Sequence, residues 1–347
     1  MDKILLGHGS GGKLSHDLIR DLFLHHFSGP SLAKLDDAAV LLPPMAEPPQ
    51  GVGRLPRCGR VALTTDGHVV KPLFFPGGDI GRLAVCGTVN DLAMVGATPL
   101  YLSAAFILEE GLELDILRRV VTSMEAAAAE AGVEIVAGDT KVVEKGQADQ
   151  LFISTAGLGL VPKGIDISGS NALPGDVVLL SGAVGDHGIA VLSEREGLAF
   201  GTQVVSDLAP LNGLVSTMLG ASTEIHVLRD PTRGGLATTL NEIALQSQVT
   251  ISISEAEIPV HDGVRAACEM LGYDSLYVAN EGKLVAMVAP GDADRVLEAM
   301  RQHPLGREAT IIGQVLDQPR PRVLLKTEIG GTRIVDMLAG EILPRIC

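Results

Sequence analysis

The sequence predicts a two-domain α/β protein of the α+β type, and three observations lead to that class. A length of 347 residues exceeds that of a typical single domain and is enough to bury two cores. The composition includes 41 glycines but only 3% aromatic residues and no tryptophan, which is typical of enzymes whose backbone segments approach closely. Strand-like and helix-like stretches also alternate along the chain.

Charge and cysteine usage narrow the function classes. The 27 basic and 42 acidic residues give a formal net charge of -15, which disfavours binding to nucleic acid or to an anionic membrane. The four cysteines form no C-x-x-C pair, so we expect a reducing compartment and no structural zinc. No apolar run approaches the roughly 20 residues of a membrane span, and the start is too short for a signal peptide. We therefore expect a cytoplasmic protein.

Composition divides the chain into four predicted segments. The boundaries follow a Pro/Gly-rich loop from Pro43 to Arg60 and a Gly/Pro/Ser/Asn-rich stretch from Pro162 to Gly175. The segments are a glycine-rich N-terminal segment (1–43), an N-terminal domain (44–162), a C-terminal domain (163–330) and a C-terminal tail (331–347).

Periodicity predicts the elements in order. In the first half we expect helices and strands at 14–27 (helix), 60–67 (strand), 78–95 (helix), 100–108 (strand), 114–131 (helix), 133–137 (strand) and 151–161 (strand). In the second half we expect them at 176–181 (strand), from 186 (helix), 235–248 (helix), 249–253 (strand), 261–271 (helix), 284–289 (strand) and from 292 (helix).

A glycine-rich run near the start is a candidate phosphate-binding segment. Gly7, Gly12 and Lys13 fit the first part of a phosphate loop, in which glycines let backbone N–H groups approach a phosphate. Leu14 stands where such a loop carries the hydroxyl that holds Mg²⁺. We therefore predict a glycine segment that covers phosphate rather than an ordinary P-loop. Its candidate residues are Gly9, Gly11, Gly12 and Lys13.

Six acids lie at turn-rich junctions beside predicted strands or helices: Asp37, Asp66, Asp91, Asp139, Asp230 and Glu281. Ligand sites of α/β proteins gather at such junctions. Carboxylates that converge repel one another unless cations lie among them, and oxygen ligands alone suit Mg²⁺. Lys141 and Arg233 lie close to two of these acids and could neutralise a phosphoryl group.

Each acid also has a simpler interpretation as a solvated turn or a helix cap. Three runs favour a site instead: G-D-T-K after a strand, D-P-T-R-G-G at the start of a helix, and N-E-G-K before a buried strand. His187 could contact a substrate or only cap a helix. Cys58, Cys86 and Cys268 are interpreted as a loop residue and small core residues.

The sequence closes on Pro344, Arg345, Ile346 and Cys347. An extended run from Gly340 could reach about 20 Å, at roughly 3.3 Å per residue. A thiol on such a segment can carry a group into a cleft of the body. The alternative is a frayed tail whose cysteine has no role.

Nine motifs in this order resemble the HypE family of hydrogenase maturation proteins. These are carbamoyl dehydratases in the superfamily of aminoimidazole ribonucleotide synthetase and selenophosphate synthetase. The motifs are G-H-G-S-G-G-K, T-T-D-G, N-D-L-A, F-I-L-E-E-G, G-D-T-K-V-V, G-D-H-G, R-D-P-T-R-G-G, A-N-E-G-K and P-R-I-C. The cysteine at the end separates this family from the others, and Ser10 stands where selenophosphate synthetase is expected to carry cysteine or selenocysteine.

The resemblance implies a fold and a reaction. The N-terminal domain would bind ATP and join a second subunit in a barrel at a homodimer interface, and the C-terminal α/β domain would close over ATP, with a flexible tail. A carbamoyltransferase, HypF, would load Cys347 with a carbamoyl group. This chain would dehydrate it to a thiocyanate with ATP and Mg²⁺, and cyanide would pass to the iron on a HypC–HypD scaffold for [NiFe]-hydrogenase.

The chemistry needs a base near the amide nitrogen and cations near the γ-phosphate. We predict Cys347, Lys141 and Glu281 as catalytic residues, with Glu281 as the base. The predicted metal ligands are Asp37, Asp66, Asp91 and Asp230. Beside the glycine segment, the predicted ATP or phosphate contacts are Asp139, Thr140, His187, Thr232 and Arg233. A small-molecule kinase of the same superfamily and a non-catalytic nucleotide-binding carrier are the alternatives.

Overall fold

A computed structural model describes residues 4–9, 12–26, 31–41, 59–198, 204–317, 321–338, 343 and 345–347. Within these ranges the chain forms a mixed α/β fold with one large sheet in each half. Predicted features at Gly11, at Cys58 and in most of the Pro43–Arg60 loop lie outside the described residues. No helix in the described part of the chain has the length and apolarity to cross a bilayer.

The strands of the described residues are β1 (Ala39–Leu41), β2 (Arg60–His68), β3 (Phe74–Phe75), β4 (Gly78–Asp79), β5 (Thr98–Glu109), β6 (Glu134–Val143), β7 (Leu151–Val161), β8 (Val177–Leu180), β9 (Ile225–Arg229), β10 (Thr250–Ser254), β11 (Val285–Val288), β12 (Thr310–Leu316), β13 (Arg322–Lys326) and β14 (Thr332–Val335). The helices are α1 (Lys13–Leu18), α2 (Leu24–His26), α3 (Ile80–Met94), α4 (Leu114–Ala131), α5 (Asp186–Glu196), α6 (Asn212–Ala221), α7 (Gly235–Ser247), α8 (Asp262–Leu271) and α9 (Ala293–Gln302).

The first sheet has the order β1-β2-β7-β5-β6. Its pairs are antiparallel except β5 with β6. Along β7, buried and more exposed residues alternate, because alternate side chains of a strand point to opposite faces. Helix α3 packs on one face, where almost all of its residues are buried.

The other face of this sheet, here called the open face, carries exposed apolar side chains. Leu63, Tyr101, Ile107 and Leu158 belong to it. Leu158 of β7 pairs with both Leu63 and Tyr101, and another residue on the same face of β7 pairs with Ile107. The sheet ends at β1 and β6 and does not close on itself within the described residues. A single chain therefore shows no closed barrel.

Strand β6 is longer than the pattern predicts. We expected a strand ending at Ala137 and a turn at G-D-T-K, but β6 continues through Val143 because β5 pairs with it as far as Glu109. Gly138 makes no turn. A Cβ there would lie 2.9 Å from the Ala104 carbonyl oxygen, so this glycine permits a close approach between the two strands.

The second sheet is mixed and has the order β14-β13-β10-β12-β8-β11-β9. Residues 332–335, which the sequence places in the tail, form its edge strand β14 and pair antiparallel with β13. The two halves share a core, in which Leu92 and Met94 of α3 join Leu214 of α6 and Leu284. This contact fixes the ends of the second sheet's strands against the first sheet.

Candidate functional site

Five of the six predicted acids come together where the two halves meet. Asp37 precedes β1, Asp66 lies on β2, Asp91 lies on α3, Asp230 follows β9, and Glu281 precedes β11. Each of them is within electrostatic range of at least one other member of the set. This acid cluster therefore draws on both sheets and on the helix between them.

The acid cluster carries more negative charge than its surroundings can stabilise. Burial raises the pKa of Asp37 to about 6, where the Arg229 guanidinium opposes the rise. Burial and then Asp37 raise the pKa of Asp230 to about 8. The pKa values of Asp91 and Glu281 are also raised well above their usual range by burial, and then by Asp230 and Asp66. A bound cation would favour the ionised forms.

Oxygen ligands suit a hard cation such as Mg²⁺, and the carboxyl groups of the acid cluster outnumber the cationic side chains of Arg229 and Arg233 beside them. Thr64 Oγ1 connects two of them, donating to Asp91 Oδ2 at 2.8 Å and lying 3.0 Å from the Asp37 carbonyl oxygen. In the part of the chain that is described, no three acidic, histidine or cysteine side chains have the arrangement of a formed metal site. The acid cluster therefore suits Mg²⁺ by the chemistry of its oxygen atoms and by its charge.

An arginine that the sequence analysis did not select holds one of these acids. The buried Arg229 donates to Asp37 Oδ1 and to Glu242 Oε2, both at 2.7 Å. Glu242 Oε1 lies 2.9 Å from His16 Nε2. This chain of contacts links helix α1 to the acid cluster. Its only signal in the sequence is that Arg229 directly precedes Asp230.

A cavity of about 430 Å³ lies beside the acid cluster. Helix α1 contributes Ser15 and His16 to its wall. Four predicted site residues also line it: Asp37, Asp230, Thr232 and Arg233. Its size and its polar wall are those of a small-molecule site.

The glycine segment lies next to this cavity. Gly9 ends a 3₁₀ turn from Leu6, and the Lys13 backbone N–H donates to the Leu338 carbonyl oxygen at 2.9 Å. Gly12 is buried and the Lys13 side chain is exposed. The structure thus anchors the segment to residues just after β14.

The thiol of Cys347 is within electrostatic range of the acid cluster and packs against the apolar core of the first half. Burial raises its pKa to about 12, with Arg233 opposing the rise and Glu281, Asp66 and Asp230 adding to it. Ile346 is only 4% exposed and packs in the core of the first half. The described end of the tail is therefore packed against the body.

Glu281 is the most enclosed member of the acid cluster, at 3% exposed. Its Oε1 has no hydrogen-bond partner among the described residues. Its backbone N–H donates to Asp207 Oδ1 at 3.1 Å, so Asp207 orients the loop that carries it. Sequence reasoning missed Asp207, which no motif marks.

His187 contacts the tail. It is fully buried, with Nδ1 2.8 Å from Ser206 Oγ and Nε2 2.9 Å from the Ile346 carbonyl oxygen. Because a carbonyl only accepts, Nε2 carries the proton and Nδ1 accepts from the serine. Burial lowers the pKa of His187, in keeping with this neutral form. His187, for which we predicted a contact with phosphate or a helix cap, donates a hydrogen bond to the main chain of the tail in this structure.

Three predicted residues lie apart from the acid cluster. Asp139, Thr140 and Lys141 are exposed on strand β6. Lys141 Nζ pairs with Asp139 Oδ2 at 2.8 Å, with side chains 70% and 62% exposed. Both share the open face, since Lys141 pairs with Ile107 across the sheet. Within the described residues of one chain, Lys141 contacts Asp139 and does not contact Cys347.

Comparison with known proteins places this geometry in a family. Two family models match: the N-terminal domain of AIR synthase related proteins over residues 35–161 and the C-terminal domain over residues 174–326. Thiamine monophosphate kinase from Aquifex aeolicus shares the fold at 18% identity and a TM-score of 0.65, covering 92% of this chain and 99% of that one.

Sequence relatives are much more similar. Carbamoyl dehydratase HypE of Cupriavidus necator is 55% identical over 345 residues, covering 99% of this chain and 95% of that protein. HypE of Escherichia coli is 46% identical over 348 residues and is covered completely.

Solved structures agree. A HypE structure in complex with ATP superposes with a TM-score of 0.81 at 50% identity, covering 99% of this chain and 100% of that one. A HypE–HypF complex gives a TM-score of 0.86 at 50% identity, covering 92% and 99%. The chain therefore belongs to the HypE family of carbamoyl dehydratases, a branch of the AIR synthase related proteins.

Proposed function

We propose that this chain dehydrates a carbamoyl group carried on its own Cys347 to a thiocyanate, at the expense of ATP. The observation that carries the proposal is that the tail end packs into the body, which brings the Cys347 thiol within electrostatic range of Arg233 and Glu281. The names of the relatives support the reaction class. The product would supply the cyanide ligand of the active-site iron of a [NiFe]-hydrogenase.

The 430 Å³ cavity is the proposed place for ATP. A relative's structure in complex with ATP supports nucleotide binding in this fold. Thr232 and Arg233 on its wall would contact phosphate, next to the N-terminus of α7. Asp37, Asp66, Asp91 and Asp230 would hold Mg²⁺, which supplies positive charge to the phosphate oxygens.

The reaction balances in two steps. The carbamoyl oxygen attacks the γ-phosphorus, ADP leaves, and one N–H proton is released, which gives an O-phosphorylated imidate on sulfur. Loss of the second N–H proton then forms the carbon–nitrogen triple bond as the C–O bond breaks and phosphate departs. Phosphorylation is needed because hydroxide is a poor leaving group from that carbon, whereas phosphate is a good one.

Arg233 and Glu281 have the functional groups that these steps need. The Arg233 guanidinium would stabilise negative charge on the transferred group. Glu281 has one carboxylate oxygen without a partner, which can accept an N–H proton. Burial raises the pKa of Glu281, so phosphate expulsion should speed up as pH rises and this carboxyl ionises.

A second copy of the chain is the proposed partner of the open face. Leu63, Tyr101 and Ile107 leave apolar surface exposed there, at a sheet whose two edge strands have no further partner among the described residues. Pairing two such sheets would form the barrel that the resemblance implies, and would bring Lys141 of one copy towards the other. Light scattering should report a dimer at micromolar concentration that Tyr101→Glu dissociates, and a monomeric wild-type chain with full activity would contradict it.

The other proposed partners act before and after the chemistry. HypF would load the thiol, which a structure of a relative's HypE–HypF complex supports. A HypC–HypD scaffold would receive the cyanide. Intact-protein mass spectrometry tests the central step: loading adds one carbamoyl group, and ATP then removes one water. Loss of water from a Cys347→Ala chain would refute the assignment, and phosphate transfer to a small molecule would favour the kinase alternative.

A further inference from the structure

The main chain at Glu281 is held from two sides by buried polar side chains. The backbone N–H groups of Glu281 and Gly282 donate to Asp207 Oδ1 at 3.1 Å and to Asp207 Oδ2 at 3.2 Å. From the other side, Asn90 Nδ2 donates to the Glu281 carbonyl oxygen at 3.3 Å. Both side chains are enclosed, with Asp207 2% exposed and Asn90 1% exposed. The loop at Glu281 can therefore move only by breaking hydrogen bonds that water is badly placed to replace.

Asn90 ties this loop to helix α3 and to the segment 206–211. Its Nδ2 also donates to the Ala209 carbonyl oxygen at 3.1 Å, and its Oδ1 accepts from the Leu211 backbone N–H at 2.7 Å. On α3 it directly precedes Asp91, which belongs to the acid cluster. One helix thus holds both an acid of the cluster and the loop that carries the proposed base.

The loop and the segment 206–211 also pack closely. A Cβ on Gly282 would lie 1.8 Å from the Asp207 carbonyl oxygen, so glycine permits this approach. Lys283 Nζ lies 3.5 Å from Asp207 Oδ2 and gives that buried carboxylate a counter-charge. Glu281 Oε1, by contrast, has no partner among the described residues. The main chain of the loop is therefore fixed, while the carboxyl group of Glu281 is left for a ligand.

We propose that Asn90 and Asp207 are positioning residues of the dehydratase site, which act on the reaction through Glu281. The proposal rests on the function proposed above, in which Glu281 accepts an N–H proton. A base must lie within hydrogen-bond reach of that proton, and a small misplacement costs much of the rate. Neither residue is among the described residues that line the 430 Å³ cavity. Loosening this contact should therefore slow proton removal and leave the affinity for ATP unchanged.

The test is a double-mutant cycle on single-turnover dehydration by chains that carry the carbamoyl group. Asp207→Asn keeps the shape of the side chain but replaces one accepting oxygen by an amide group that cannot accept. The rate should fall by about 10–100-fold, while the Kd for ATP changes by less than about twofold. In a Glu281→Gln chain the same substitution should change the rate by less than about threefold, because residues that act as a unit are not additive. A merely structural role would lower both rates by the same factor.

Asp176→Asn is the matched control. Asp176 is also a buried carboxylate, and it accepts from the Leu173 backbone N–H at 2.8 Å. It precedes β8 at the end of that strand far from Leu180, which pairs with the start of β11 next to the Glu281 loop. Its rate should stay within about twofold of the wild type.

Gly282→Ala is the second variant and takes the place of Asp207→Asn if that chain does not bind ATP. It separates the same two segments without removing a functional group, and it should slow dehydration only where Glu281 is present. The proposal is overturned if Asp207→Asn keeps the wild-type rate, or if it slows the chain equally in both backgrounds. A wild-type rate in Glu281→Gln alone would instead refute the base on which the proposal rests, so the two failures are distinguishable.

Discussion

Two acid–base groups that look alike in the sequence lie on opposite faces of the first sheet. Asp66 pairs across the sheet with buried Thr155, on the face that α3 covers. Lys141 pairs with Ile107, on the open face. Members of the acid cluster such as Asp230 are affected by burial and by repulsion from neighbouring carboxylates, whereas Lys141 and Asp139 form a solvated ion pair. In one chain only the covered face has the electrostatics of an active site.

This contrast assigns different physical roles to the two faces. An exposed ion pair contributes about 0–1 kcal/mol to stability, so the charges of Lys141 and Asp139 are not needed for folding. Buried, unneutralised carboxylates are costly and persist only where a ligand or function requires them. The exposed pair thus gains a catalytic role only if a second chain covers it.

The largest expected effect is on the covered face. Glu281→Gln keeps the shape of the side chain and removes the base, so single-turnover dehydration of a loaded chain should slow by about 10²–10⁴-fold. Intact-mass measurements over time would follow the loss of water, and ATP binding should persist. Glu298→Gln, on the exposed surface of α9, is the control. Equal rates in the two variants would remove Glu281 from the mechanism.

Mixing two defective chains tests whether the open face serves a neighbour. If Lys141 acts in the partner's site, a dimer of one Lys141→Ala chain and one Glu281→Gln chain contains one intact site. A 1:1 mixture that exchanges subunits freely should then regain about a quarter of the wild-type sites. If Lys141 acts in its own chain, the mixture stays as inactive as its components.

A third comparison uses pH and Mg²⁺. Asp37 and Asp230 have folded pKa values of about 6 and about 8, above their ordinary value of 3.8. The folded state therefore binds more protons than the unfolded state between these values, and stability without metal should fall as pH rises from about 4 to 8. Mg²⁺ with ATP should raise the Tm more at pH 8 than at pH 5.5. Asp230→Asn should flatten this dependence in differential scanning fluorimetry; a slope unchanged from the wild type would count against the cluster.

The smallest expected effect is on the open face. Asp139→Asn removes one partner of an exposed pair, so the free energy of unfolding should change by less than about 1 kcal/mol. Urea denaturation would measure it, with Arg229→Leu as the contrasting variant, since that change takes a buried guanidinium away from the partly exposed carboxylates of Asp37 and Glu242 and should cost more than about 1 kcal/mol. A large loss in Asp139→Asn would mean that the open face is covered even in the isolated chain.

Much of the fold followed from local patterns. The predicted helix at 114–131 is α4, because its apolar residues repeat every three or four positions. The predicted strand at 151–161 is β7, whose alternation is regular. The pattern failed at G-D-T-K, where a glycine was taken for a turn but serves a close strand contact. Whether a glycine makes a turn or permits a close contact between strands depends on the neighbouring strand, which the local sequence does not reveal.

The candidate site was predictable in its residue types but not in its arrangement. Junction positions identified Asp37, Asp66 and Asp230, because strand ends and helix starts meet between domains. Arg229 and Asp207 act through partners far away in sequence, and no local spacing reveals such pairs. The contact of His187 with the Ile346 carbonyl oxygen also joins residues far apart in sequence, so the motif G-D-H-G gave no sign of it.

The position of the tail end lowers the reactivity of the Cys347 thiol. Only a thiolate attacks electrophiles or oxidants readily, and burial in the cleft raises the pKa of Cys347 to about 12. This position therefore favours the protonated, less nucleophilic form of the thiol. A more exposed position of the same residue would have a lower thiol pKa and would therefore react faster with an electrophile.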